Sequence, residues 1–153
     1  MVQVHWFDKV AYYVRYLAIY VLFIGLFLPA GIGKLFGGES VPSSLFEKSW
    51  LDGTVVLSTG WTLDGIGELV VALLMIASLV TGEWFQGRTK QLLRIGLAVA
   101  TLLFGVMCTG MTIADQTASA ASLFFYFGAT SVVYLVVRHD EREAEGKEAA
   151  TGV

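Results

Sequence analysis

Apolar residues in this chain fall into four long blocks separated by short polar breaks. The blocks cover 12–36, 63–81, 92–113 and 119–137. About 20 mostly apolar residues are needed to cross about 30 Å of hydrocarbon as a helix, and each block is of that order. Backbone in lipid must satisfy its own hydrogen bonds, so spans of this length predict helices and not open strands. The pattern predicts an all-α integral membrane four-helix bundle at 1–137, followed by a charged tail at 138–153.

The breaks differ in character. The first, 37–62, is long for a link between neighbouring helices, and Pro42-Ser43-Ser44-Leu45-Phe46-Glu47 inside it resembles a helix start. Ser44 and Glu47 stand at capping-box spacing. Leu45, Phe46, Trp50 and Leu51 would give the short helix one apolar side, suited to lying flat on the membrane surface, with a solvated loop as the alternative. Trp6, Trp61 and Trp84 fall near span ends, where amphipathic rings anchor at the interface. The tail has no apolar face and reads as a solvated helical extension that frays.

Composition agrees with the spans. Of 153 residues, 56% are hydrophobic and 15% charged, with a mean hydropathy of +0.68, whereas soluble domains carry about 25% charged residues. A net charge of −3 without a basic stripe gives no sign of a nucleic-acid partner. Cys108 is the single cysteine, which excludes thiol–disulfide chemistry within one chain.

The positions of the cations predict direction. Lys9, Arg15, Arg88, Lys90, Arg94, Arg138, Arg142 and Lys147 lie toward the N-terminus, the second break and the tail, while Lys34 and Lys48 lie toward the other side. Eight against two predicts cytoplasmic termini in a plasma or inner membrane, with the first and third breaks outside. Residues 16–28 could form the apolar part of a signal peptide. The charged, aromatic stretch before them and the lack of an A-x-A pattern after them favour a retained span.

Charges within spans are costly and mark candidate sites. Lys34 lies near the outer end of the first span, and Asp64 and Glu68 lie on one face near the start of the second. Asp115 follows the third span on the same side. At 1.5 Å per residue Glu68 is about 7 Å below the expected start of its span, so the four groups form one expected outer-leaflet cluster. Lys34 and Glu68 could neutralise each other and fix helix register. Surplus negative charge from Asp64 could instead keep one carboxyl protonated, able to bond a quinone carbonyl or pass a proton. Pro29 removes the bond to the carbonyl of Gly25 and predicts a kink there. Gly33 and Gly37 have the spacing of close helix packing, and the freed carbonyl could otherwise line a cavity.

The remaining candidates carry less. His5 and His139 lie outside the spans, so neither a bis-histidine haem nor a zinc site is expected. Cys108 reads as a packing residue and Arg15 as a snorkelling one. The run Leu123-Phe124-Phe125-Tyr126-Phe127 could line a ring-binding crevice, or face lipid or a neighbouring helix. No nucleotide, zinc-protease or hydrolase motif is present, and no complete set of catalytic or cofactor-ligating residues.

At these positions the chain resembles the DoxX-like family of small four-span membrane proteins. The first-span elements are Arg15, Gly25 and Gly31-Ile32-Gly33-Lys34-Leu35-Phe36, and the second-span element is Gly65-Ile66-Gly67-Glu68-Leu69. Spans three and four match in length and in the opening Arg94, and Asp8-Lys9 is similar to the related YkgB-like proteins. The resemblance implies a subunit of a quinone-linked membrane oxidoreductase assembly, not a complete enzyme, with Lys34 and Glu68 the positions carried over. Other membrane or peripheral redox subunits, or a second copy, would be its partners in the bilayer. The residues leave two alternatives open: a small proton-coupled transporter or channel using Lys34, Asp64 and Glu68, or a structural tetraspan scaffold.

Overall fold

A computed structural model describes residues 2–38, 41–47 and 49–151, and of residues 2–5, 43 and 147–151 the backbone alone. Glu39 and Lys48 lie outside the described residues, as do the side chains of His5 and Lys147. The described residues form five helices: α1 (Val2–Phe36), α2 (Ser43–Phe46), α3 (Val55–Thr81), α4 (Gln91–Ile113) and α5 (Thr117–Thr151). All but α2 are long and apolar enough to cross a membrane.

The long helices run alternately up and down. Lys34 late in α1 meets Asp64 in α3, Glu83 after α3 meets Leu93 in α4, and Cys108 late in α4 meets Ala120 in α5. Both termini and the α3–α4 loop therefore share one end, here the terminal end, and α2 and the α4–α5 turn share the other, the α2 end. Laterally, α3 packs between α1 and α4, and α5 packs on α4.

The buried stripes follow helical spacing. Tyr16, Tyr20, Phe23 and Phe27 of α1 recur at i, i+4, i+7 and i+11, as do Leu93, Leu97, Ala100 and Phe104 of α4. Between them lie Val71, Ala72 and Met75 of α3, while α5 adds Val137. The Phe27 and Phe104 rings meet across the bundle with centroids 5.3 Å apart. Phe124 and Phe125 are about 70% exposed, so this part of the aromatic run faces away from the bundle.

Helix ends depart from the hydropathy reading where polar groups intervene. The helix expected from residue 63 begins at Val55, because Thr54 Oγ1 accepts the Leu57 N–H at 3.3 Å and caps it. Residues 55–62, with three hydroxyl side chains and a glycine, lower the local hydropathy without breaking the helix. Gly82 ends α3 in the left-handed region (φ 75°), which glycine adopts at no steric cost. At the end of α1 the Gly37 N–H donates to the carbonyls of Ile32 and Gly33. The Gly33/Gly37 pair thus closes a helix.

Close approach of α1 to α3 uses other glycines. A Cβ on Gly31 would stand 2.8 Å from Leu69 Cγ and 3.0 Å from the Gly65 carbonyl oxygen, and one on Gly65 would stand 3.0 Å from Lys34 Cβ. Gly25 faces open space, and α1 continues through Pro29.

The expected surface helix is a single turn. The Ser44/Glu47 capping box does not form, because α2 begins at Ser43 and Glu47 lies beyond its end. Phe46 and Leu51 bury with Ala114, against Leu57 of α3 and Met111 of α4. Apolar side chains thereby gain burial on the bundle itself, and Trp50 alone of the expected apolar side stays 72% exposed.

Candidate functional site

The α2 end holds the expected ion cluster, with different membership. Lys34 Nζ donates to Glu68 Oε1 at 2.7 Å and also to Asp64 Oδ2. All three side chains are largely buried, with 5–13% of their surface exposed. The Trp61 ring lies 4.6 Å from the same ammonium, so this tryptophan covers a cation. Asp115 is elsewhere: it sits exposed in the α4–α5 turn at φ 59°, a left-handed position that aspartate tolerates. Turn chemistry accounts for it.

The early start of α3 also changes the depth of the acids. Glu68 stands 13 residues inside the helix, about 20 Å along its axis, and Asp64 stands 9 residues inside. Lys34 is near the end of α1, and the first turns of α3 extend past it.

Beside this cluster an apolar groove of about 950 Å³ runs between α3 and α4. Trp61, Leu57 and Trp50 form one wall, and Leu102, Val106 and Met111 contribute to the other. Asp64 is the acidic residue in its lining. Its Oδ2 takes the Lys34 bond, while Oδ1 is buried and accepts no hydrogen bond among the described residues. A buried carboxylate oxygen without a donor is a costly unsatisfied acceptor, here on a residue that lines the groove.

The terminal end carries a second polar network that hydropathy did not single out. Tyr20 and Ser78 hydroxyls are 2.8 Å apart, and Ser78 Oγ donates to Glu83 Oε2 at 2.7 Å. A serine has one proton, so Tyr20 is the donor to Ser78. Glu83 also accepts the Leu92 and Leu93 N–H groups at 3.0 and 2.9 Å, capping α4 from across the loop. Arg15 pairs with Asp140 where snorkelling was expected, and Tyr16 donates to the same carboxylate at 2.9 Å. Glu141 is buried, accepts the Lys90 N–H at 2.7 Å and pairs with Arg94 at 2.8 Å.

The first turn of the expected solvated tail is therefore structural. Lys90 is buried too: its ammonium donates to the Arg88 carbonyl at 3.1 Å and lies 5.5 Å from the Tyr16 ring. Burial pushes this ammonium below the usual lysine value, against the pull of Asp140, Glu141 and Glu83. Charges beside span ends look like ordinary interfacial charges in a sequence, which is why the network was not legible.

Between the two polar ends the buried residues of α3 are Val71, Ala72 and Met75, packed on Phe23, Phe27 and Phe104. Glu68 and Ser78 are ten residues apart, so this apolar layer is about 15 Å thick. Among the described residues no group of three metal-ligating side chains converges. No family model matches the chain, and no curated protein or solved structure matches it.

Proposed function

We propose that this small integral membrane protein is a subunit of a quinone-linked redox assembly and holds a quinol in the groove between α3 and α4. The carrying observation is Asp64, which lines the mainly apolar groove, has one oxygen bound by Lys34 and has the other buried without a hydrogen-bond donor among the described residues. An ionised carboxylate accepts hydrogen bonds, so the reduced, hydroxyl-bearing form suits it better than the quinone. The ring and its apolar tail would occupy the groove beside Trp50 and Trp61. The resemblance of 31–36 and 65–69 to DoxX-like proteins supports the redox setting. On the charge bias, the groove faces the outer leaflet of the plasma or inner membrane.

The proton-coupled transporter reading gains less support. A proton leaving Glu68 for the other end would have to cross about 15 Å of buried apolar side chains.

Both tryptophans of the groove report on it, whereas Trp6 and Trp84 lie toward the terminal end. Titrating purified protein with a short-chain quinol should quench tryptophan emission, and Asp64→Asn should weaken binding by about tenfold or more, as for a lost hydrogen bond to a charged group. Equal affinity in Asp64→Asn, or quenching that persists in Trp50→Phe/Trp61→Phe, would remove the quinol assignment. Mild extraction should co-purify a redox partner. A homo-oligomer without one would favour the scaffold or transporter.

A further inference from the structure

At the terminal end α1 and α5 stand apart, without close backbone packing among the described residues, and leave a pocket of about 970 Å³ that the α3–α4 loop also lines. Its charged lining is Asp8, Lys9 and Arg15 from α1, Lys90 from the loop, and Asp140 and Glu143 from α5. Arg15 and Asp140 neutralise each other, and Tyr16 holds the same carboxylate. Two cations and two carboxylates then face the pocket, Lys9 and Lys90, Asp8 and Glu143, with the exposed His139 imidazole 3.8 Å from Glu143. Lys90 is a built part of the site, only 1% exposed and wedged against the Tyr12 and Tyr16 rings. Its ammonium has three protons, of which one goes to the Arg88 carbonyl.

The pocket lies where α1 and α5 pass from apolar to charged sequence, beside the Tyr13–Trp84 ring pair. That is headgroup level for a bundle of this kind. We infer that this pocket binds a phospholipid headgroup joining a phosphate to a primary ammonium, as in phosphatidylethanolamine. The phosphate bonds Lys9 and Lys90, and the ammonium bonds Asp8 and Glu143. An anionic headgroup without an amine leaves the two carboxylates opposed to it, and a choline headgroup has no N–H to donate to them.

Delipidated protein, titrated by native mass spectrometry with phosphatidylethanolamine, phosphatidylcholine and phosphatidylglycerol of the same acyl chains, tests this. The amine-bearing lipid should be retained roughly tenfold over each of the others, the discrimination of one charge-assisted hydrogen bond. Asp8→Asn/Glu143→Gln changes two exposed side chains and should abolish the preference over phosphatidylcholine while the fold holds. Lys9→Gln should weaken all three lipids. Equal retention of the three, a preference for phosphatidylglycerol, or an unchanged preference in Asp8→Asn/Glu143→Gln would overturn the assignment. Soluble glycerophosphoethanolamine competing as well as the lipid would replace the lipid with a free metabolite. The site lies at the end opposite the quinol groove, so either proposal can fail without the other.

Discussion

Lys34 of α1 and Glu68 of α3 meet at 2.7 Å, and the same ammonium bonds Asp64 one helical turn away. One cation thus serves two buried carboxylates, which makes the three positions unequal. Lys34→Met removes the cation that both acids share and should cost about 3–5 kcal/mol, whereas Glu68→Gln leaves a Lys34–Asp64 pair and should cost about 1–3 kcal/mol. Reversible unfolding in mixed micelles, followed by circular dichroism, compares them. A larger loss in Glu68→Gln than in Lys34→Met would contradict this ranking.

Glu83 accepts three hydrogen bonds, from Ser78, Leu92 and Leu93. Glu83→Ala should therefore cost about 2–3 kcal/mol, more than an exposed helix cap. Ser78→Ala leaves Glu83 its two backbone donors but strands the buried Tyr20 hydroxyl, and should cost about 1–3 kcal/mol. Hydrogen exchange should show the first turn of α4 loosening in Glu83→Ala and not in Ser78→Ala.

Gly31 and Gly67 separate two kinds of close contact. A Cβ at Gly31 meets the backbone oxygen of Gly65, but one at Gly67 meets the flexible Leu103 tip at 2.6 Å. Gly31→Ala should destabilise by about 1–3 kcal/mol through forced separation of α1 and α3. Gly67→Ala should fall within about 1 kcal/mol of the parent, since helix propensity favours alanine. Thermal midpoints in one detergent order the two variants.

Lys90 makes stability depend on alkaline pH. Burial lowers its folded-state pKa, so the unfolded chain binds the proton more tightly. The penalty of the buried charge is fully present below the folded-state value. It fades as pH rises from the folded toward the unfolded value. Lys90→Met should unfold at a higher temperature than the parent at pH 7, and the gap should narrow toward pH about 10. A gap that widens with pH would show that the charged form is favoured in the fold.

Direction in the membrane is checked by reporter fusions. Those at Gly53 and Lys90 should report opposite sides, and those at Lys90 and the C-terminus the same side. Opposite reports from Lys90 and the C-terminus would contradict the even number of crossings.

The four spans and the all-α class were legible in the sequence because burial in hydrocarbon needs a length and a composition, and both are local properties. The Lys34, Asp64 and Glu68 candidates were legible for a related reason: an ion within an apolar block is conspicuous. Partnership was not. Asp115 matched the cluster in chain position, but a left-handed turn keeps it at the surface, and the early Thr54 cap moves Glu68 much farther from the start of its helix. Hydropathy marks neither helix rotation nor a single capping hydroxyl. The Glu83, Lys90, Asp140 and Glu141 network was hidden for the opposite reason, since charges just past a span are what any membrane helix carries. Only tertiary packing, which brings residues 15 and 140 together, shows that Asp140 and Glu141 pair with Arg15 and Arg94 and that Glu83, Lys90 and Glu141 are buried.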